Sequence, residues 1–176
     1  MDYWNSLGWK DVYSNADYSK RQQQYGNIFQ LNSVYTPQAI VNGETEFTGS
    51  NTGKLHEAVE NALSVAASTN IEVSAKTTDK VVNISYHLSA SSSNVLNIAL
   101  VQLHAQSNVQ KGENSGKLLH HVNVVRAFKT VTAQTPQGTI MLQLPAGVTA
   151  KDCKIIAYLQ DAQAYKITAA TAADIE

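Results

Sequence analysis

From Ile71 onward the chain alternates. Apolar and polar residues trade places with a period of two through 71–75, 81–88, 95–103, 122–131, 138–144, 154–160 and 165–170, and clusters of Ser, Asn, Gly and Pro separate the runs. That period sends successive side chains to opposite faces of a pleated strand, so each run predicts a strand with one buried face. Seven short strands with turn residues between them predict an antiparallel sandwich or barrel. The first two, joined by 76–80, read as a hairpin, and 106–117, with two glycines and several polar amides, reads as the longest loop of this half.

Before Ile71 the spacing is helical. Tyr18, Tyr25, Ile28 and Phe29 recur at about one turn after a capping Ser14 or Asn15, which predicts a helix over 16–30 with Gln22, Gln23 and Gln24 in solvent. A short apolar strand over 38–42, the Asn42-Gly43 step and a strand over 44–48 carrying Phe47 predict a tight hairpin, because a type I′ turn needs φ > 0 at both central residues. Ser50 or Asn51 then caps a second helix, whose Leu55, Ala58, Val59, Ala62, Leu63 and Ala66 form one apolar stripe. Residues 1–17 hold both tryptophans and read as an irregular loop over a core. The change of period near 69–71 divides the chain into segments 1–69 and 70–176.

Composition narrows the function classes. Of 176 residues 43% are hydrophobic and 15% charged, enough for a packed core, and the net charge of -1 carries no block of like sign, which argues against nucleic acid as a partner. No apolar run approaches the roughly 20 residues that span a bilayer, and no signal peptide is visible. Cys153 is the only cysteine, so the chain holds no internal disulfide, redox pair or zinc cluster, and at the start of an apolar strand it reads as a small buried hydrophobe. His120 and His121 point to opposite faces of a strand, and His56, His87 and His104 lack partners at ligand spacing, so no metal or other cofactor is expected. No Ser-His-Asp set and no phosphate-cradling glycine loop is recognisable.

One local feature stands apart. Thr36-Pro37 opens the 38–42 strand, where proline is unusual because it cannot donate to a ladder; such a proline favours a cis bond. The stretch 34–43, together with Asp2-Tyr3-Trp4, Leu7-Gly8-Trp9-Lys10-Asp11, Arg21-Gln22, Tyr25, Gly112-Glu113-Asn114-Ser115-Gly116, His120, Asn123-Val124-Val125-Arg126 and Tyr158-Leu159-Gln160-Asp161, resembles a bacterial exported family of unknown function. The resemblance implies an α+β fold: a partial thioredoxin-like half (helix, strand, hairpin, strand, helix) followed by an antiparallel β-sandwich. It also implies a periplasmic or extracellular location. Members of that family begin with a strand and a Cys-x-x-Cys helix that this sequence, opening at Asp-Tyr-Trp, does not contain.

Two site expectations follow. By resemblance, the loop Tyr35, Thr36 and Pro37 would meet an extended peptide or substrate. Glu113, Asn114, His120, Asn123 and Arg126 form a second polar cluster, read as pinning the 106–117 loop or, if exposed, binding an anion. Alternation places Val122, Val124 and Arg126 on one face of a strand. The expected function is a non-catalytic binding or structural module with a protein or peptide partner. A homodimer through uncovered sheet near 34–48 is a further expectation. The alternative is the C-terminal part of a thiol-disulfide oxidoreductase whose cysteines lie upstream.

Overall fold

The computed structural model describes residues 2–7, 9–67, 69–89, 93–112 and 114–176. A 3-10 turn over Asp2–Leu7, where the sequence suggested only loop, leads to helix α1, Ala16–Ile28. The Asn15 side chain caps α1 by accepting from the Asp17 N–H, and the helix ends as Gln30 turns left-handed at φ 52°. Its buried residues are Ser19, Gln22, Tyr25 and Gly26. That corrects the expected face, because Gln22 lies inside while Ile28 is exposed. Apolar periodicity fails here because α1 docks largely through hydrogen bonds.

Strands β1 (Gln38–Val41) and β2 (Thr45–Thr48) pair antiparallel, and the Val41 carbonyl accepts from the Glu44 N–H at 3.0 Å. Asn42 and Gly43 between them have φ of 51° and 72°, the turn their dipeptide predicts. Helix α2 spans Thr52–Leu63, with the Asn51 side chain accepting from the Lys54 N–H. Of its predicted stripe only Ala58 is buried, while Leu63 remains 81% exposed.

The remaining strands are β3 (Ile71–Thr78), β4 (Val81–Leu88), β5 (Val95–Asn108), β6 (Leu118–Thr132), β7 (Gln137–Gln143), β8 (Cys153–Gln160) and β9 (Ile167–Asp174). They form two antiparallel sheets, ordered β3-β4-β7 and β6-β5-β8-β9. Val82, Ile84 and Leu88 from the first sheet join Leu96, Ile98, Leu100, Ile155 and Leu159 from the second in one fully buried apolar cluster. The sheets also meet where Ala75 bridges Ile175 and Glu176 exchanges backbone bonds with Ala75 and Thr77.

Two boundaries differ from the sequence reading for physical reasons. The start of the supposed 106–117 loop is instead the end of β5 in a long hairpin, because Gln106 pairs with His120, Ser107 with Leu119 and Asn108 with Leu118 across β5 and β6. Side chains bond across the two strands as well, Gln106 Nε2 with the directly opposite His120 Nδ1 at 3.3 Å and Ser107 Oγ diagonally with His121 Nε2 at 2.8 Å, so polar residues that read as loop are cross-strand neighbours. Tyr165 and Lys166 lie in a turn instead of a strand, because the Asp161 carboxylate accepts from the N–H groups of Gln163 (2.8 Å) and Ala164 (2.6 Å). Those bonds hold the Asp161 carboxyl below its ordinary pKa.

Candidate functional site

The outer face of the four-stranded sheet carries polar residues where a sandwich would expose them. Asn97 on β5 lies opposite Thr130 on β6 and Tyr158 on β8, so the three share one face. Helix α1 covers them with Arg21 and Tyr25. The Arg21 Nη2 group donates to Tyr158 Oη at 2.9 Å and Gln160 Oε1 at 2.8 Å, with Tyr25 Oη at 3.3 Å. Its guanidinium lies over the Phe128 ring at 5.0 Å and the Tyr25 ring at 5.3 Å.

Gln160, only 2% exposed, is the hub. Its Nε2 donates to Tyr25 Oη (2.8 Å) and the Tyr165 carbonyl (2.7 Å), while its Oε1 also accepts from Asn97 Nδ2 at 3.1 Å. Thr130 Oγ1 in turn donates to Asn97 Oδ1 at 2.6 Å. Among the described residues no buried side-chain nitrogen or oxygen lacks a partner. A network so fully satisfied rigidifies the seam, because every group left over would pay its desolvation cost in full.

Burial raises the Tyr158 phenol to a pKa of about 12, against the opposing pull of the Arg21 cation. Native Tyr158 therefore keeps its proton where the unfolded phenol, at 10.0, has released it. Stability should be flat with respect to this group below the unfolded value and fall as pH climbs from there to about 12. Urea unfolding at about pH 9 and about pH 11 should show a larger alkaline loss for the wild type than for Tyr158→Phe. Equal losses would remove Tyr158 as the cause.

One residue along the helix, Gln22 faces a different neighbour. Its Nε2 donates to the Tyr35 carbonyl (2.7 Å) and Gln38 Oε1 (2.9 Å), and its Oε1 accepts from Tyr3 Oη at 2.9 Å. The Tyr35 hydroxyl donates to Glu46, and that bond, with burial, lifts the Tyr35 phenol above its ordinary value. The Thr36–Pro37 bond is cis, and the Pro37 carbonyl accepts from Gly49 N–H at 2.9 Å. Beside this loop lies a cleft of about 300 Å³ lined by Tyr18, Arg21, Gln22, Tyr25, Thr36, Gln38 and Ile40.

The second predicted cluster is dispersed. Glu113 lies outside the described residues. Asn114 is exposed in the hairpin turn and accepts from Lys117 Nζ at 3.1 Å, His120 bonds Gln106, and Asn123 is exposed at φ 54°. Arg126 sits apart from them. Leu100 pairs with Ala127 and Val101 with Val125, so Arg126 is the extra residue of a β-bulge. The bulge breaks the expected alternation. Val125 shares the face of Val101 and Asn97, and Arg126 opens on that same face onto the groove lined by Phe128, Thr130 and α1, away from Val124. It donates to Gln102 and lies over the Tyr13 ring at 5.2 Å, so it does not pin the turn.

The seam residues Asn97, Phe128, Thr130, Tyr158 and Gln160 were not picked out as a site from the sequence. A signal existed, since Asn97 interrupts the apolar 95–101 run and Arg21, Tyr25, Tyr158 and Gln160 all fall in stretches that carried the family resemblance. Cys153 is 3% exposed, and burial followed by Asp152 raises its thiol pKa, the opposite of an activated nucleophile. Among the described residues no group of three His, Cys, Asp or Glu side chains could hold a metal ion, and no helix is long and apolar enough to cross a membrane.

These elements define a β-rich α+β protein, with two α-helices and nine strands among the described residues. The chain belongs to DUF1223, a family of proteins of unknown function, which matches residues 1–160. Among solved structures it is similar to a structural-genomics crystal structure of a protein from Agrobacterium tumefaciens. The TM-score is 0.69 at 23% identity, covering 98% of this chain and 76% of that one, a likeness of fold. A domain of the outer membrane lipoprotein Omp28 from Porphyromonas gingivalis matches at a TM-score of 0.38 and 13% identity, covering 64% of this chain and 91% of that one. No curated protein matches the chain.

Proposed function

We propose that the chain is a non-catalytic binding module that takes an extended segment of a protein partner along β1, beside the Tyr35, Thr36 and Pro37 loop. The observation that carries this reading is the edge of β1. Its only partner strand among the described residues is β2, so a second row of backbone groups is available for strand addition. The cleft lined by Tyr18, Tyr25 and Ile40 offers an apolar seat for alternate side chains of such a segment. The order of α1, the proline-led β1, the tight turn, β2 and α2 supports a thioredoxin-like reading of segment 1–69, with 70–176 as the sandwich. In that fold the same loop meets extended chain. Without a second cysteine the chain has no thiol pair of its own, which favours binding over redox chemistry. A location outside the cytoplasm fits the Ser- and Thr-rich, charge-poor composition.

The test is a selection of extended peptides from a random display library, followed by direct titration. Ile40→Lys should weaken the best peptide by roughly tenfold or more while the melting temperature stays close to that of the wild type. Undiminished binding to Ile40→Lys would overturn the assignment. So would self-association abolished by the same substitution with no peptide bound, because β1 would then serve a homodimer.

A further inference from the structure

A second groove, of about 410 Å³, runs between α1 and β6, and its walls include Tyr18, Arg21, Gln24, Arg126, Phe128 and Thr130. We propose that this groove binds a carboxylate borne on a small apolar body, held between the guanidinium groups of Arg21 and Arg126. Both arginines are half-buried, and among the described residues neither lies within ion-pair distance of a carboxylate. All three bonds from Arg21 leave Nη2 for neutral oxygens, so its Nε and Nη1 donors are not engaged by them. Among the described residues Arg126 donates through Nη1, to Gln102. A guanidinium carries five donors in a planar fork that matches a carboxylate, and half-buried cations without a counter-ion favour the anion that supplies one.

Three further features select the ligand. The bulge in β6 places Arg126 on the face covered by α1, so two cations from distant parts of the chain share one groove. Tyr18 and Phe128 give it aromatic walls, which suit an apolar body better than a bare inorganic ion. Asp17 stands at the same groove, 80% exposed and paired with Lys20 at 3.4 Å. Its charge is screened but present, and it disfavours a dianion such as phosphate over a single carboxylate.

Isothermal titration calorimetry of the whole chain tests this, with benzoate as probe and benzyl alcohol and inorganic phosphate beside it. Benzoate should saturate a single site, benzyl alcohol should not bind, and phosphate should bind more weakly than benzoate. Arg126→Gln should lower benzoate affinity roughly tenfold, and Arg126→Lys, which keeps the charge but loses the fork, should lower it less. The lysine variant carries the test if the glutamine variant does not fold. Absence of saturable benzoate binding, or wild-type affinity in the variants, overturns the proposal. Phosphate binding as tight as benzoate also overturns it, by reducing the groove to an unselective anion site. The groove shares Tyr18 and Arg21 with the cleft beside β1, but Arg126 lines the groove alone and Ile40 the cleft alone, so the Arg126 variants and Ile40→Lys test the two readings separately.

Discussion

Gly43→Ala should cost about 4 kcal/mol or more, among the largest effects of any single methyl group in this chain. Gly43 has φ 72°, which already penalises a side chain. More severe is the contact: a Cβ there would lie 1.9 Å from the Tyr165 carbonyl oxygen and 2.8 Å from its carbon. Those atoms cannot swing aside as a side chain would. The Tyr165 carbonyl is held by Gln160, the Asn42 carbonyl accepts from Ile167 N–H at 2.8 Å, and Tyr165 itself sits at φ 61°. The hairpin turn is therefore seated in the turn between β8 and β9, and alanine must unseat one of them. Gly112→Ala is the matched control, since it has φ 88° but no atom within 4 Å of its added Cβ. It should lose only about 1 kcal/mol. Urea unfolding of the two variants separates contact from backbone strain; equal losses would refute the docking argument.

Gln160→Leu should be comparably damaging, by about 3–5 kcal/mol, although the side chains are similar in size. Leucine removes the acceptor for Arg21 and Asn97 and the donor to Tyr25 and the Tyr165 carbonyl. Asn97 is 0% exposed and cannot turn to water instead. Asn97→Leu combined with Gln160→Leu should therefore cost less than the sum of the two single losses, because the second substitution removes a group the first has orphaned. Strict additivity in the double-mutant cycle would mean that the two amides act independently.

The fold was legible where burial alone decides. The seven runs after Ile71 match seven strands in two sheets because their apolar faces meet one core, and Asn42-Gly43 announces its turn because few other dipeptides adopt two positive φ values. Reading failed where polar groups carry the packing. Gln22 looks like solvent-facing helix, yet it is 5% exposed, because the partners of its amide (Tyr3, Tyr35 and Gln38) are distant in sequence. Arg126 fell on the wrong face because one inserted residue inverts all parity beyond it, and a bulge leaves no trace in the apolar pattern. The Arg21 seam was visible only as scattered motifs, since a hydrogen-bond hub has no sequence period.

The bulge at Arg126 has a consequence for solubility. Strand β6 is 15 residues long and forms the border of its sheet, the kind of straight, open margin onto which a second molecule can add strand by strand. An extra residue in mid-strand interrupts that row of evenly spaced backbone groups and sharpens the local twist, and Lys129 places a charge three residues on. Deleting Arg126 would do more than discharge a groove: it would remove one of the two breaks in this margin, leaving Asn123 at φ 54° as the other, and so favour growth of ordered aggregates.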